Sequence, residues 1–307
     1  MDTGEIFKRF EVLQRMRGTW ESHWEEIASR VLPRSAEFVG TRTAGDKRTE
    51  KLFDATAALA LERFAAAVES LLTPRGARWH TTRSSNTELN KDPEVKAWFE
   101  QANAAMFLHR YSPKANFASQ MHESYLSLGA FGTAGLFVDE APVRGLNYRG
   151  IHLADLFIAD NEHGMIDTVF RRFEVSARQA LRMFEDGDLS LDLRKLANDR
   201  PDEKVKLLHV VMPRTDRDPE RSDRKNQPWF SGYYEIQTKN MIEEGGFTTN
   251  PYIVSRYNVG PREIFGRSPA MTILPDIKML NEMSKTVIRA GQKVVDPPLL
   301  IADEGVI

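Results

Sequence analysis

Four basic residues near the end of the chain have the spacing with the most chemical content. Lys278, Lys285, Arg289 and Lys293 are separated by seven, four and four residues. On a helix, at 100° per residue, their side chains fall within about 80° of one another. Ile273, Ile277, Leu280, Val287 and Ile288 take the opposite side. The pattern predicts a helix with one packed apolar face and one basic stripe. Two readings stand: a solvated face, or a surface aimed at a polyanion without base reading.

Other constellations carry less. His152, Asp155, Asp160 and His163 lie within twelve residues, and imidazoles with carboxylates are ligands for divalent metals. A metal-dependent hydrolase is the reading this set would support. Yet Leu153, Ala154, Leu156, Phe157 and Ile158 intervene and the spacing matches no short metal loop, so turn residues at a strand end are expected instead. Glu25 and Glu26 beside His23 suggest acid–base work, but neighbours on a helix point about 100° apart. They read as the wet side of a face carrying Trp20 and Trp24. Gly129, Gly132 and Gly135 sit where a helix leads into a strand, the reverse of the strand–turn–helix order that cradles a dinucleotide. There is no G-x-x-x-x-G-K-[ST], no G-x-S-x-G and no H-E-x-x-H. No catalytic set, cofactor or metal site is expected.

Composition narrows the class. The 307 residues are 41% hydrophobic and 28% charged, which is enough for a sizeable core. Forty-two Lys and Arg against 44 Asp and Glu leave a net charge of −2. A protein that blankets nucleic-acid phosphates carries a positive excess, so any such contact here is local. The absence of cysteine removes disulfides and thiolate chemistry. No apolar run approaches the ~18 residues of a membrane span. The start, MDTGEIFKRF, lacks a signal-peptide core, so the cytoplasm is the default location.

The elements that must position these residues follow from periodicity. Ile6, Phe10, Leu13, Trp20, Trp24, Ile27 and Val31 mark one stripe of a long helix that ends at Pro33. Asp46 is read as the cap of a second helix running to about Thr73, and Trp79 as the start of a short strand. Further helices are predicted over 92–110 and from Ser112-Pro113 to about Leu128. Beyond Gly129 the texture favours strands, at 134–139, 148–153, 166–174, 205–213, 229–237 and 251–257, with a helical stretch near 176–197. Residues 214–225 hold five basic and four acidic residues and read as a solvated loop or hairpin tip. Ser268-Pro269 opens the last helix. Pro275 inside it implies a kink or a short helix followed by a long one. Leu299-Leu300-Ile301-Ala302 looks like another strand. The predicted class is α+β: long helices over 1–130, a mostly antiparallel β-rich region over 131–267, and a long terminal helix within 268–307.

Several separated pieces resemble a known family when read in order. They are Trp24 with Val31-Leu32-Pro33; Lys51-Leu52-Phe53-Asp54; Leu71-Leu72-Thr73-Pro74 followed by Trp79; Phe265-Gly266-Arg267-Ser268-Pro269; Leu274-Pro275-Asp276-Ile277-Lys278 with Leu280-Asn281; and Asp296-Pro297-Pro298-Leu299. The set resembles the head-to-tail connector, or portal, proteins of short-tailed phages and related prophages. The resemblance implies a structural, non-enzymatic protein of the virion, assembled in the host cytoplasm into a ring of typically twelve subunits at one capsid vertex. It implies double-stranded DNA passing through non-specifically, and a packaging terminase, scaffold, capsid and tail adaptor proteins as partners. It also implies that the chain is the N-terminal portion of a longer protein, with a truncated, monomeric adaptor as the alternative. On this reading residues 268–294 form a stem helix, with Lys278, Lys285, Arg289 and Lys293 facing the channel.

Overall fold

The computed structural model describes residues 2–40, 45–50, 52–140, 145–185, 187–218, 220–221 and 223–297. The predicted strand at 299–302, and Lys51 and Pro298 of the quoted motifs, lie outside them. The chain is α+β, with two antiparallel sheets set among helices.

The stripe in the first thirty residues becomes helix α1 (Thr3–Val31). Its first half lies on a five-stranded sheet ordered β3 (Leu156–Asp160), β4 (Ile166–Ser176), β5 (Lys204–Pro213), β6 (Trp229–Glu235) and β7 (Met241–Phe247). Ile6, Phe7, Phe10 and Leu13 meet Phe157, Phe170, Leu208, Val210 and Met212 there. The opposite face, through Leu207, receives two short helices, α5 (Ala177–Met183) and α6 (Leu191–Asp199). Because β5 is covered on both sides, it is apolar at consecutive positions and does not alternate.

A second sheet is ordered β2 (Leu146–Ile151), β1 (Thr133–Glu140), β8 (Tyr252–Arg256). One polar clamp joins the two sheets. His209 of β5, fully buried, holds Tyr252 Oη at 2.7 Å through Nδ1 and Ser231 Oγ at 3.0 Å through Nε2, and stacks on Tyr233 at 4.1 Å. Burial drives its pKa down to about 3, with Arg171 adding to the effect, so the ring is neutral. The other face of this sheet meets α4 (Phe117–Phe131), which packs on α2 (Thr56–Leu72). Gly129 permits that approach, since a Cβ there would meet Leu61 Cδ1 at 2.5 Å.

Several sequence expectations change. α2 begins at Thr56 and not at Asp46; Asp54 Oδ1 accepts the Thr56 N–H, and the preceding stretch is held as coil by a distant side chain described below. The predicted strand at Trp79 is coil, because the Asn103 side chain of α3 (Pro93–Arg110) takes its backbone bonds, accepting from Thr82 N–H at 2.9 Å. α4 starts at Phe117, five residues after Ser112, following Asn116 in a left-handed conformation (φ 58°). The stretch 176–197 is two helices. β3 and β7 are additional strands.

Candidate functional site

The terminal helix is seated by the segment Phe265–Pro269. Phe265 packs edge-on against Trp24, ring centroids 4.9 Å apart. Gly266 meets Gly132 so closely that a Cβ on either would lie 2.1–2.4 Å from the other's carbonyl oxygen. Gly132 closes α4 with φ +75°, a left-handed geometry natural to glycine. Gly266 N–H donates to Thr133 Oγ1 at 2.9 Å. Ser268 donates to the Ala130 carbonyl at 2.8 Å while its Oγ accepts the Met271 N–H at 3.0 Å, capping α7 (Pro269–Thr272). The glycine-rich turn predicted as a helix stop and sheet entry is therefore also the socket for Phe265–Pro269.

The long helix α8 (Leu274–Val295) follows α7, as Pro275 implied. Its buried residues are Leu274 and Asn281. Asn281 Oδ1 accepts the N–H groups of Phe53 (2.8 Å) and Asp54 (3.2 Å), which is what holds the stretch before α2 as coil. Two of the quoted motifs are thus joined by one side chain. Past Asn281 the helix leaves the body.

The basic stripe is present but unevenly occupied. Lys278 Nζ lies 2.7 Å from Glu26 Oε1, and Lys285 Nζ 2.9 Å from Glu282 Oε1 and 5.7 Å from the Phe53 ring centroid. Among the described residues, Arg289 and Lys293 have no acidic partner. The expected packed face is a correction. Ile277 is partly buried, but Ile273, Leu280, Val287 (71% exposed) and Ile288 face solvent. Ile273, Ile277 and Leu280 face Ala57, Ala60, Leu61 and Phe64 of α2 across an open apolar cleft, and Val287 and Ile288 lie beyond it. A further apolar row, Met279, Met283, Val287, Ala290 and Val294, recurs at steps of three and four and is also exposed. The spacing was there to read, but periodicity does not say whether the partner is the same chain.

The remaining candidates are placed apart. His152 accepts the Ala154 N–H through Nδ1 and faces the Ser35 carbonyl at 3.2 Å; burial lowers its pKa. Asp155 lies 3.6 Å from Arg172, and burial raises its pKa. His163 neighbours Glu162 on an exposed turn. Among the described residues no three groups of metal-ligand type converge. Glu25 and Glu26 are not simply wet: Glu25 accepts the Phe38 N–H and Glu26 holds Lys278. Trp24 is core, whereas Trp98 is 62% exposed. In the charged hairpin, Arg214 and Arg224 pair with Glu244 and Glu243, which neutralises much of it internally. Among the described residues no helix is long and apolar enough to cross a membrane.

Similarity to known proteins runs along the same span. The chain is 30% identical over 298 residues to the probable portal protein of Bordetella phage BPP-1, covering 96% of this chain and 53% of that protein. It is 25% identical over 300 residues to the portal protein of Salmonella phage epsilon15, covering 96% and 54%. The chain spans about half the length of these curated relatives. Residues 3–306 match the family described as bacteriophage head to tail connecting protein. With that match running through α1, the Phe265–Pro269 socket and α8, the chain belongs to the bacteriophage head-to-tail connecting protein family.

Proposed function

We propose that this chain is part of a portal ring: a structural, non-catalytic virion component at the capsid vertex, through which double-stranded DNA is packaged and ejected and to which the tail is joined. In this reading residues 1–130 and the β-rich 131–267 form the outer, wing-like body, and α8 is the stem helix. Lys278, Lys285, Arg289 and Lys293 face the channel. The packaging terminase, scaffold, capsid and tail adaptor proteins are its partners, and assembly takes place in the host cytoplasm.

The observation that carries the reading is α8. In a member of this family, a helix that leaves the body with an apolar row on one side and cations on another is suited to packing against neighbouring copies while turning charge toward a polyanion. A net charge of −2 suits a conduit, since strong phosphate binding repeated around a ring would arrest sliding.

Mass in solution tests it, by native mass spectrometry at two protein concentrations. A species near 420 kDa, twelve times 35.0 kDa, is the expected result. A clean 35.0 kDa monomer at both concentrations would favour the adaptor reading without a channel.

A further inference from the structure

A cleft of about 670 Å³ opens between α4 and the three-stranded sheet, on the face turned away from His209. Leu136, Val138, Tyr148 and Ile253 form its floor, and Phe117 and Met121 one wall. The volume is that of a binding pocket. Its charge is one-sided: Arg110 lines it, and no Asp or Glu does. Arg110 is half-buried, its Cζ 4.9 Å from the Trp79 ring centroid and 5.5 Å from that of Phe117. Its hydrogen-bond partner is His80, an imidazole kept neutral by burial and by Arg110 itself. None of these partners is an anion.

A second observation adjoins the first. β8 ends its sheet, and among the described residues no strand pairs with its outer edge, the nearest pairing being the bridge of Asn258 to Arg267 just beyond it. Pro251 accepts the Val138 N–H and Tyr257 donates to the Gly132 carbonyl, both at 2.9 Å. In an antiparallel pair this alternation turns residues 251, 253, 255 and 257 toward β1 and residues 252, 254 and 256 outward. Asn250 Oδ1 takes the outward N–H of Tyr252. Among the described residues nothing takes the backbone groups of Val254 or Arg256 on that side. The opposite edge is closed: β2 is bonded by the Ala115 carbonyl and the Gln120 side chain.

We propose that this site binds an extended peptide segment of a partner protein, which adds a strand to β8 and turns apolar side chains and one carboxylate into the cleft toward Arg110. Backbone pairing would supply affinity and the cleft the selection. The occupant follows from charge complementarity and from the free strand edge, and does not depend on the ring reading.

The test is selection of a displayed random dodecapeptide library on the full chain, followed by amide exchange with one enriched synthetic peptide. Enriched sequences are expected to alternate apolar residues with an Asp or Glu. The bound peptide should slow exchange of the Val254 and Arg256 amides. Arg110→Gln should weaken binding about tenfold or more, and replacing the peptide's acid by its amide should cost a similar factor, with no further loss when both changes are combined. Ile253→Glu, at a half-exposed floor position, should weaken it with the melting temperature unchanged. No enrichment, peptides that bind Arg110→Gln as tightly, or unaltered exchange at Val254 and Arg256 would each overturn the proposal. Protection that rises with protein concentration alone would assign the edge to a second copy and overturn the foreign-partner assignment.

Discussion

The Nζ of Lys278 lies 2.7 Å from Oε1 of Glu26, an ion pair that fastens the first turns of α8 to α1. The hydrogen bond from Lys278 holds the Glu26 carboxyl below the usual carboxylate range. A depressed carboxylate contributes stability that is present above its ordinary pKa and lost as pH falls through the lowered one. Both groups are more than a third exposed, so the contribution is about 0.2–1 kcal/mol. Lys278→Gln should move the Glu26 titration up in an NMR pH series and change stability by no more than that.

Farther along the helix a change of charge has a different meaning. Reversing Arg289 and Lys293 to Glu touches no ion pair among the described residues. Assembly mass and melting temperature should stay unchanged while DNA packaging falls. Normal packaging in the double variant would make the stripe a solvated face.

Arg17 is buried within α1 and donates to the carbonyls of Leu153, Ala154 and Leu156 at 2.8–3.1 Å. Its Cζ lies 3.7 Å from the Phe157 ring centroid, and Glu21 takes its remaining face. Arg17→Met leaves buried acceptors unsatisfied and should cost about 3–5 kcal/mol in urea unfolding. Arg17→Lys should recover little, since an ammonium lacks the planar fork.

Gly132 and Gly164 have similar φ angles, +75° and +72°, but different surroundings. A Cβ at Gly164 meets nothing within 4 Å, so Gly164→Ala should cost only the left-handed penalty, about 1 kcal/mol. Gly132→Ala adds collision with the Gly266 carbonyl at 2.4 Å and should cost at least twice as much, as measured by the difference in melting midpoints.

The His209 clamp gives a pH dependence of defined sign. Its folded pKa of about 3 lies below the ordinary value of 6.5, so between these limits the unfolded chain binds the extra proton. Stability therefore falls as pH drops from about 6.5 toward 3, by up to about 1.4 kcal/mol per unit from this residue. His209→Gln should lower stability at pH 7 and flatten that slope in melts between pH 7 and 4. Tyr252→Phe should cost about 1–3 kcal/mol through the unpaired Nδ1.

What the sequence made legible was periodic. The α1 stripe, the alternating strands and the split at Pro275 are local patterns that decide their own structure. The gap in that stripe between Leu13 and Trp20 is filled by Arg17, whose burial depends on carbonyls about 140 residues away. Asp46 has the type of a helix cap, but Asn281 decides where α2 begins. β7 (MIEEGGF) carries two acids and two glycines, and Arg214 and Arg224 of the neighbouring hairpin supply the partners that composition could not. The basic stripe was visible. The exposure of Val287 and Ile288 on the apolar side of α8 was not, because a wheel records only the direction a side chain points.

Anchored at Leu274 and Asn281, and with Lys285 still over the Phe53 ring, α8 is mechanically a cantilever over the rest of its length. At about 1.5 Å per residue it is roughly 33 Å long, and most of that length overhangs. Any sideways force on Arg289 or Lys293 acts through that arm, so the bending moment is greatest at its base, where Asn281 meets Phe53 and Lys278 meets Glu26. Among the described residues Val287 and Val294 are exposed, so a brace that stiffened the tip would pack there.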